Sequence, residues 1–419
     1  MNNVEKLAVD KREPYRLAVL TSHPIQYQAP LFRALAARPE LDLHVYFCSR
    51  WGAEPYQDPG FQIRLSWDTP LLQGYRYTFL RNLSFCPRSA GFLRTVNPGI
   101  GASILQSKFD ALLIHGWALT TNWLAWAIAA ARCVPLLLRG ETNGLAEPAG
   151  VKRTAKRIAL KAFFSQVAGF LAIGTNNANF YKSYGVREER IFWTPYAVDN
   201  DFFMERGRRL AGQKRFLHEK EGILPDLPVI LFCGKLIEQK RPFDLLKAFA
   251  SLEGYLKASL IFVGDGPLRA EMEHFIADHR LANVHFLGFR NQTELAACYA
   301  MADVLVLPSS FEPWGLVLNE AMCFGLPVIT SDQVGAAADL VRHGANGFIY
   351  PVGDVQTLAS CLRRMVEDDQ ACRVMGQNSL TIISKWGLEE SVQGVLRCLE
   401  SVVCNPKNSA LRHKSGAIF

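Results

Sequence analysis

The chain has 419 residues, 49% apolar and 20% charged, which is too long for one ordinary core and too apolar for a disordered polypeptide. Its net charge of +7, from 46 basic and 39 acidic residues, is a mild excess that suits anionic partners without establishing one. No run is long and apolar enough to span a bilayer, the cysteines show no C-x-x-C pair, and neither zinc-finger spacing nor an aromatic RNA-binding signature occurs. A membrane-spanning helix, a disulfide framework and a nucleic-acid partner are therefore set aside.

The charged stretch 1–16 lacks the apolar core of a secretory signal, and Cys233, Cys298 and Cys323 sit in apolar runs, so a reducing, cytoplasmic setting is expected. From there the chain alternates short apolar runs with helical patterns, the signature of βαβ units and parallel sheets. In the first half, segments 16–20, 43–47, 111–114, 135–138 and 170–173 read as buried strands, with helices over 30–37 and 121–132. The segment 196–227 is charged, contains Pro225 and has no strand period, so it reads as a hinge. The pattern restarts with strands at 229–233, 259–263, 284–286, 304–307 and 328–330. Two doubly wound domains joined in this way leave a cleft between the carboxyl ends of their strands, where ligands bind in open α/β sheets. The residues after each strand thus become the candidates.

After strand 229–233 comes Gly234-Lys235-Leu236-Ile237-Glu238-Gln239-Lys240, with two ammonium groups able to turn toward the cleft and neutralise a diphosphate. After 259–263 comes Gly264-Asp265-Gly266-Pro267, a turn that permits close backbone approach, although Arg269 breaks the dinucleotide fingerprint. After 304–307 comes Phe311-Glu312-Pro313-Trp314-Gly315-Leu316-Val317-Leu318-Asn319-Glu320. Pro313 and Gly315 set a turn, and 316–324 reads as a helix whose first N–H groups, near Gly315, Leu316 and Val317, form an anion site. Taken singly, Glu312 also reads as a carboxylate favouring the helix dipole and Glu320 as part of a solvated face.

Together these motifs resemble the GT-B glycosyltransferases of the large retaining family 4. The carriers are G-K-L-I-E-Q-K, G-D-G-P, the pair Glu312/Glu320, Ala321 to Val328, Ser331-Asp332 with Gly335, and Gly347-Phe348 through Gly353-Asp354. The resemblance implies an α/β GT-B chain: an acceptor-binding Rossmann-like domain over 1–198, a nucleotide-sugar-binding one over 199–385, and a C-terminal helix 386–404 that returns to complete the first. Residues 405–419 are expected to form a flexible tail. It further implies that Glu320 binds the ribose hydroxyls and Glu312 the transferred sugar, while Lys235 and Lys240 hold the diphosphate, with Lys240, Glu312 and His115 forming the catalytic set. No metal or other cofactor is then required. Position 235 is usually arginine in that family, so a bidentate grip is replaced by a point charge.

In the first half the family's glycine-rich strand exit is absent, and the loop 21–30 carries His23, Gln26, Tyr27 and Gln28 instead. His23 and Gln26 there, with Glu141 and Asn143 after strand 135–138, are expected to meet a sugar or lipid-linked acceptor. His115 follows strand 111–114 and, by the resemblance, stands against the donor sugar. Asp199-Asn200-Asp201 has the spacing of a metal-binding D-x-D, but its place in the hinge argues against that role. Lys152, Arg153, Lys156, Arg157 and Lys161 line one side of a helix, with Ile158, Ala162, Phe163 and Val167 supplying apolar surface. Such a stripe suits peripheral contact with the inner face of the cell membrane as well as it suits a plain solvated face. The activity expected is retaining sugar transfer from a nucleotide-sugar to a hydroxyl in surface polysaccharide or glycolipid assembly. The rivals are a nucleotide-sugar epimerase on the same fold and a non-catalytic nucleotide-sugar-binding module.

Overall fold

A computed structural model describes residues 13–58, 60–86, 91–145, 151–252 and 257–403. The stretch 405–419, read as a tail, lies outside the described residues. The first domain holds β1 (Tyr15–Thr21), β2 (Leu41–Phe47), β3 (Tyr56–Asp58), β4 (Ile63–Leu65), β5 (Arg76–Phe79), β6 (Ala111–His115), β7 (Leu136–Arg139), β8 (Val167–Ala172) and β9 (Ile191–Trp193). Seven of these form one parallel sheet in the order β5-β2-β1-β6-β7-β8-β9, while β3 and β4 pair as a separate antiparallel hairpin. The second domain holds β10 (Val229–Cys233), β11 (Ser259–Val263), β12 (Val284–Gly288), β13 (Val304–Leu307), β14 (Val328–Ser331) and β15 (Gly347–Tyr350). These form a parallel sheet in the order β12-β11-β10-β13-β14-β15.

Both sheets are covered on two faces, which is why β10, β11 and β13 read as unbroken apolar runs rather than alternating ones. Leu17 and Val19 of β1 face one core, and Ala18 and Leu20 face the other. The helix Leu388–Val403 crosses back to the first domain, where Val392, Val395, Cys398 and Leu399 join the core beneath β1 and β2. It packs so closely that a Cβ on Gly394 would stand 1.9 Å from the Trp193 carbonyl oxygen.

The hinge reading of 196–227 is corrected. Helices Asn200–Leu210 and Lys214–Lys220 occupy it and pack on the second domain through Phe203 and Leu217. The apolar positions there follow helical spacing, which the charge, Pro225 and the missing strand period had masked. Asp199 caps the first of these helices by accepting from the Phe202 N–H at 3.1 Å, and Asn200 Nδ2 donates to the Ile383 carbonyl at 3.0 Å. The D-x-D spacing is thus a helix start.

Candidate active site

In each sheet the strand order reverses beside the first strand, at β1/β6 and at β10/β13, so a crevice opens beyond the carboxyl ends there. A cavity lies against each crevice.

The cavity at the second sheet, about 380 Å³, is walled by Cys233, Gly234, Lys235, Lys240, Gly264, Val317 and Glu320. The first domain closes it with Gln26 and Tyr27 and with Tyr56, Asp58, Phe61 and Trp67 of the hairpin region. Phe61 and Trp67 both meet the Phe289 ring edge-on, and Asn291 Nδ2 donates to the Ser66 carbonyl at 2.7 Å. Lys235 Nζ pairs with Asp58 at 2.9 Å and lies 4.9 Å from the Phe61 ring centroid. Burial pushes the Asp58 carboxyl up, but Lys235 and the Phe61 and Gly60 N–H groups outweigh it and hold it below the usual range. Lys240 ends the short turn Glu238–Lys240 and pairs with Glu312, whose Oε1 also accepts from Ser309 Oγ at 2.9 Å. Glu312 is 6% exposed. Burying a side-chain carboxyl that deep is costly without such partners.

Glu320 sits inside the helix Leu316–Cys323 and has no exposed surface. Tyr299 donates to its Oε2 at 2.5 Å, while Oε1 is buried without a hydrogen-bond partner. Burial pushes this carboxyl up to about 7, against the pull of the Tyr299 and Tyr27 hydroxyls. Its ionisation therefore burdens the folded state as pH rises from 4.5 through 7. Gly315 begins this helix at φ 101°, and a Cβ there would strike Leu307 at 2.9 Å, so only glycine brings the chain around so tightly. Helical geometry leaves the first-turn N–H groups of Leu316 and Val317 without intrahelical acceptors.

The first-domain cavity, about 490 Å³, is walled by Thr21, Ser22, Ile25 and Gln28, by His115 and Trp117, by Arg139, Glu141 and Asn143, and by Lys156. Phe311 and Pro313 of the second domain complete it, so the segment carrying Glu312 runs between the two cavities. His115 packs edge-on against Phe32, and its Nε2 is buried without a partner. Burial, with the Arg139 charge, drives its pKa down to about 3, so the ring is neutral through the ordinary pH range. Tyr196 donates to Glu141 Oε1 at 2.8 Å, and Asn143 Nδ2 donates to the carbonyls of Glu312 and Pro313 at 2.9 and 3.1 Å.

Most of the residues singled out from the sequence converge, three do not hold the positions expected, and Glu312, Gly315 and Leu316 lie near the cavities without lining either. Lys235, Lys240, Val317 and Glu320 share one cavity, and His115, Glu141 and Asn143 share the other. Gln26 lines the cavity at the second sheet rather than the first-domain cavity, because the loop 21–30 passes between the two. His23 lines neither cavity; it stacks on Trp51 and bonds Ser22. Gly266 packs on backbone, where a Cβ would stand 2.5 Å from the Leu236 carbonyl, and Gly264 takes the cavity wall instead. Asn143 spends its amide holding the Glu312 segment. Sequence reasoning missed Asp58, Phe61 and Trp67, although Asp58-Pro59-Gly60 is a turn signal between two short runs. It also passed over Arg139, which heads the strand-exit cluster that it named.

This fold, with two facing Rossmann-like domains and a nucleotide-sized cavity between them, is the GT-B architecture. The structure of HepE from Anabaena in complex with UDP superposes with a TM-score of 0.71 at 19% identity, covering 93% of this chain and all of that one. Residues 213–381 match the family described as "Glycosyl transferases group 1". The chain is 32% identical over 164 residues to the N-acetyl-alpha-D-glucosaminyl L-malate synthase of Bacillus anthracis, covering 39% of this chain and 42% of that enzyme. It is 28% identical over 321 residues to D-inositol 3-phosphate glycosyltransferase 2 of Catenulispora acidiphila, covering 72% of each. The chain spans 34 to 42% of the length of three curated relatives it matches.

Proposed function

We propose that the protein transfers a sugar from a nucleotide-sugar to an acceptor hydroxyl with retention of configuration. The observation that carries this is the placement of Lys235, Lys240 and Glu320 around one cavity, with Glu312 between it and the His115 cavity. The unpartnered Oε1 of Glu320 accepts from the ribose diol, and the aromatic wall of Tyr27, Phe61, Trp67 and Phe289 takes the base. The diphosphate lies between the two lysines and the helix start at Gly315. As the glycosidic bond breaks, charge gathers on the leaving diphosphate, where these fixed cations and N–H groups stabilise it. A neutral His115 and the Glu312 carboxylate bind sugar hydroxyls rather than exchange protons with the leaving group. This arrangement holds the donor without calling on a metal ion. HepE in complex with UDP and the sugar-transferring relatives support this reading. UDP, GDP and ADP tested by thermal denaturation check it: at least one should raise the melting temperature in wild type and fail to do so in Glu320→Gln. No stabilisation by any nucleotide would count against it.

The Glu320 carboxyl gives this binding a pH signature. Ribose hydroxyls donate to the ionised form, so binding expels the proton that the free protein holds below about pH 7. Nucleotide affinity should therefore fall roughly tenfold from pH 8 to pH 6. Calorimetric titrations at both values check this, and Glu320→Gln should show no such slope.

Peripheral contact with an anionic membrane on the cytoplasmic face remains part of the proposal, with a changed surface. Phe163 and Val167 are buried in the core, Arg157 donates to the Ser183 carbonyl at 3.2 Å, and Lys156 faces the acceptor cavity. The Lys152 and Arg153 side chains lie outside the described residues. What faces outward is Ile158, 66% exposed, with Ala159, Lys161 and Ala162. Exposed Phe92 packs on Trp123, which in turn contacts Phe163 of the same helix. Vesicles with acidic headgroups should sediment the protein, and added salt or Ile158→Glu with Lys161→Glu should release it. Equal sedimentation of that variant would remove this helix from the contact.

A further inference from the structure

The first-domain cavity sets two basic side chains, Arg139 and Lys156, against one carboxylate among the described residues, Glu141. Arg139 ends β7 beside His115 of β6, its register partner. Its side chain is only 5% exposed, and Nε is buried without a hydrogen-bond partner. The guanidinium lies 5.0 Å from Cζ to the centroid of the Tyr196 ring, and Glu141 acts on it electrostatically. Lys156, on the helix Val151–Ser165, lines the same cavity and forms no ion pair among the described residues. Glu141, the one carboxylate on the cavity wall among the described residues, is exposed and also accepts from Tyr196.

Guanidinium does not shed its proton in proteins, so burial cannot be relieved by neutralising it. Buried charge is costly unless it is balanced, and the single exposed carboxylate Glu141 offsets only one of the two cations here, so an anion that enters the cavity completes the balance. The planar fork of arginine matches the oxygens of a carboxylate or a phosphate, and a lysine lining the same cavity adds a point charge of the same sign. The diphosphate of the donor has its own cations, Lys235 and Lys240, in the other cavity. We propose that the acceptor carries an anionic group, a phosphate or a carboxylate, which Arg139 and Lys156 hold while its hydroxyls face the Glu312 segment. This rests on the reading of the first-domain cavity as the acceptor site.

Calorimetric titration of the full chain with glucose, glucuronate, glucose 6-phosphate and inorganic phosphate, at saturating nucleotide, tests it. At least one anionic probe is expected to bind at least roughly tenfold more tightly than glucose, and the stronger of the two sugar anions identifies the group. Arg139→Gln should abolish that preference and Lys156→Gln should reduce it several-fold, while nucleotide affinity stays within about twofold of wild type. Because Lys156 is only half-buried, its variant is informative even if Arg139→Gln does not fold. Equal affinity for charged and neutral probes, or a preference that survives in Lys156→Gln and in folded Arg139→Gln, would overturn the proposal. Loss of nucleotide binding in wild type would instead strike the donor reading of the second cavity, and the anion comparison would still be read without nucleotide.

Discussion

Lys240→Ala is expected to lower kcat by roughly 10²–10³, with a far smaller change in donor affinity. Lys240 is held by Glu312 in the free protein, so its ammonium is already oriented and needs no reorganisation when charge develops on the diphosphate. Removal has a second consequence, because Glu312 loses the cation that balances it at 6% exposure. The variant should therefore also melt at a lower temperature, and Lys240→Arg should restore stability ahead of activity. Steady-state kinetics of the folded variant are the check. An unchanged kcat would take Lys240 out of the mechanism.

Glu320→Gln should weaken nucleotide binding by about 1.5–3 kcal/mol, roughly 10- to 100-fold, the range for hydrogen bonds to a charged group. Ribose contacts persist from ground state to transition state, so the loss should appear in affinity and leave kcat at saturation nearly intact. The amide keeps the shape and still accepts from Tyr299, which separates this effect from collapse of a buried site. Glu320→Ala would open a void beside Tyr299 and confound the two. Normal donor affinity in Glu320→Gln would mean that the paired-glutamate motif has been assigned to the wrong cavity.

The strands that build both crevices were legible because they are buried on two faces and read as short apolar runs. Those at 229–233, 259–263 and 304–307 match the structure residue for residue. Among the edge strands, β12 was read at 284–286 but the edges of the first sheet were not legible. β5 is half exposed and β9 is three residues long, so neither shows a clear period. Site residues that follow a strand or carry a motif were found in sequence order. Asp58, Phe61 and Trp67 were not, since they reach the site only through tertiary docking of the hairpin β3–β4 onto Phe289. Arg139 escaped notice for a different reason: a charged strand end looks solvated until its burial is known. Trp314, central to the glutamate motif, proves to be a domain-joining residue, stacked on Trp386 and bonded to Asn319 at 2.9 Å.

The central claim is transfer from a nucleotide-sugar through the lysine and glutamate set, and the most direct measurement is acceptor-dependent nucleotide release. A panel of UDP-, GDP- and ADP-sugars would be incubated with anionic and neutral sugar acceptors, with both the freed nucleotide and the glycoside quantified. The expected result is equal release and transfer for one donor, loss of both in Lys240→Ala, and a product whose anomeric configuration matches the donor by NMR. Donor that binds tightly yet never yields glycoside, or that returns as its epimer with no acceptor consumed, would contradict the account.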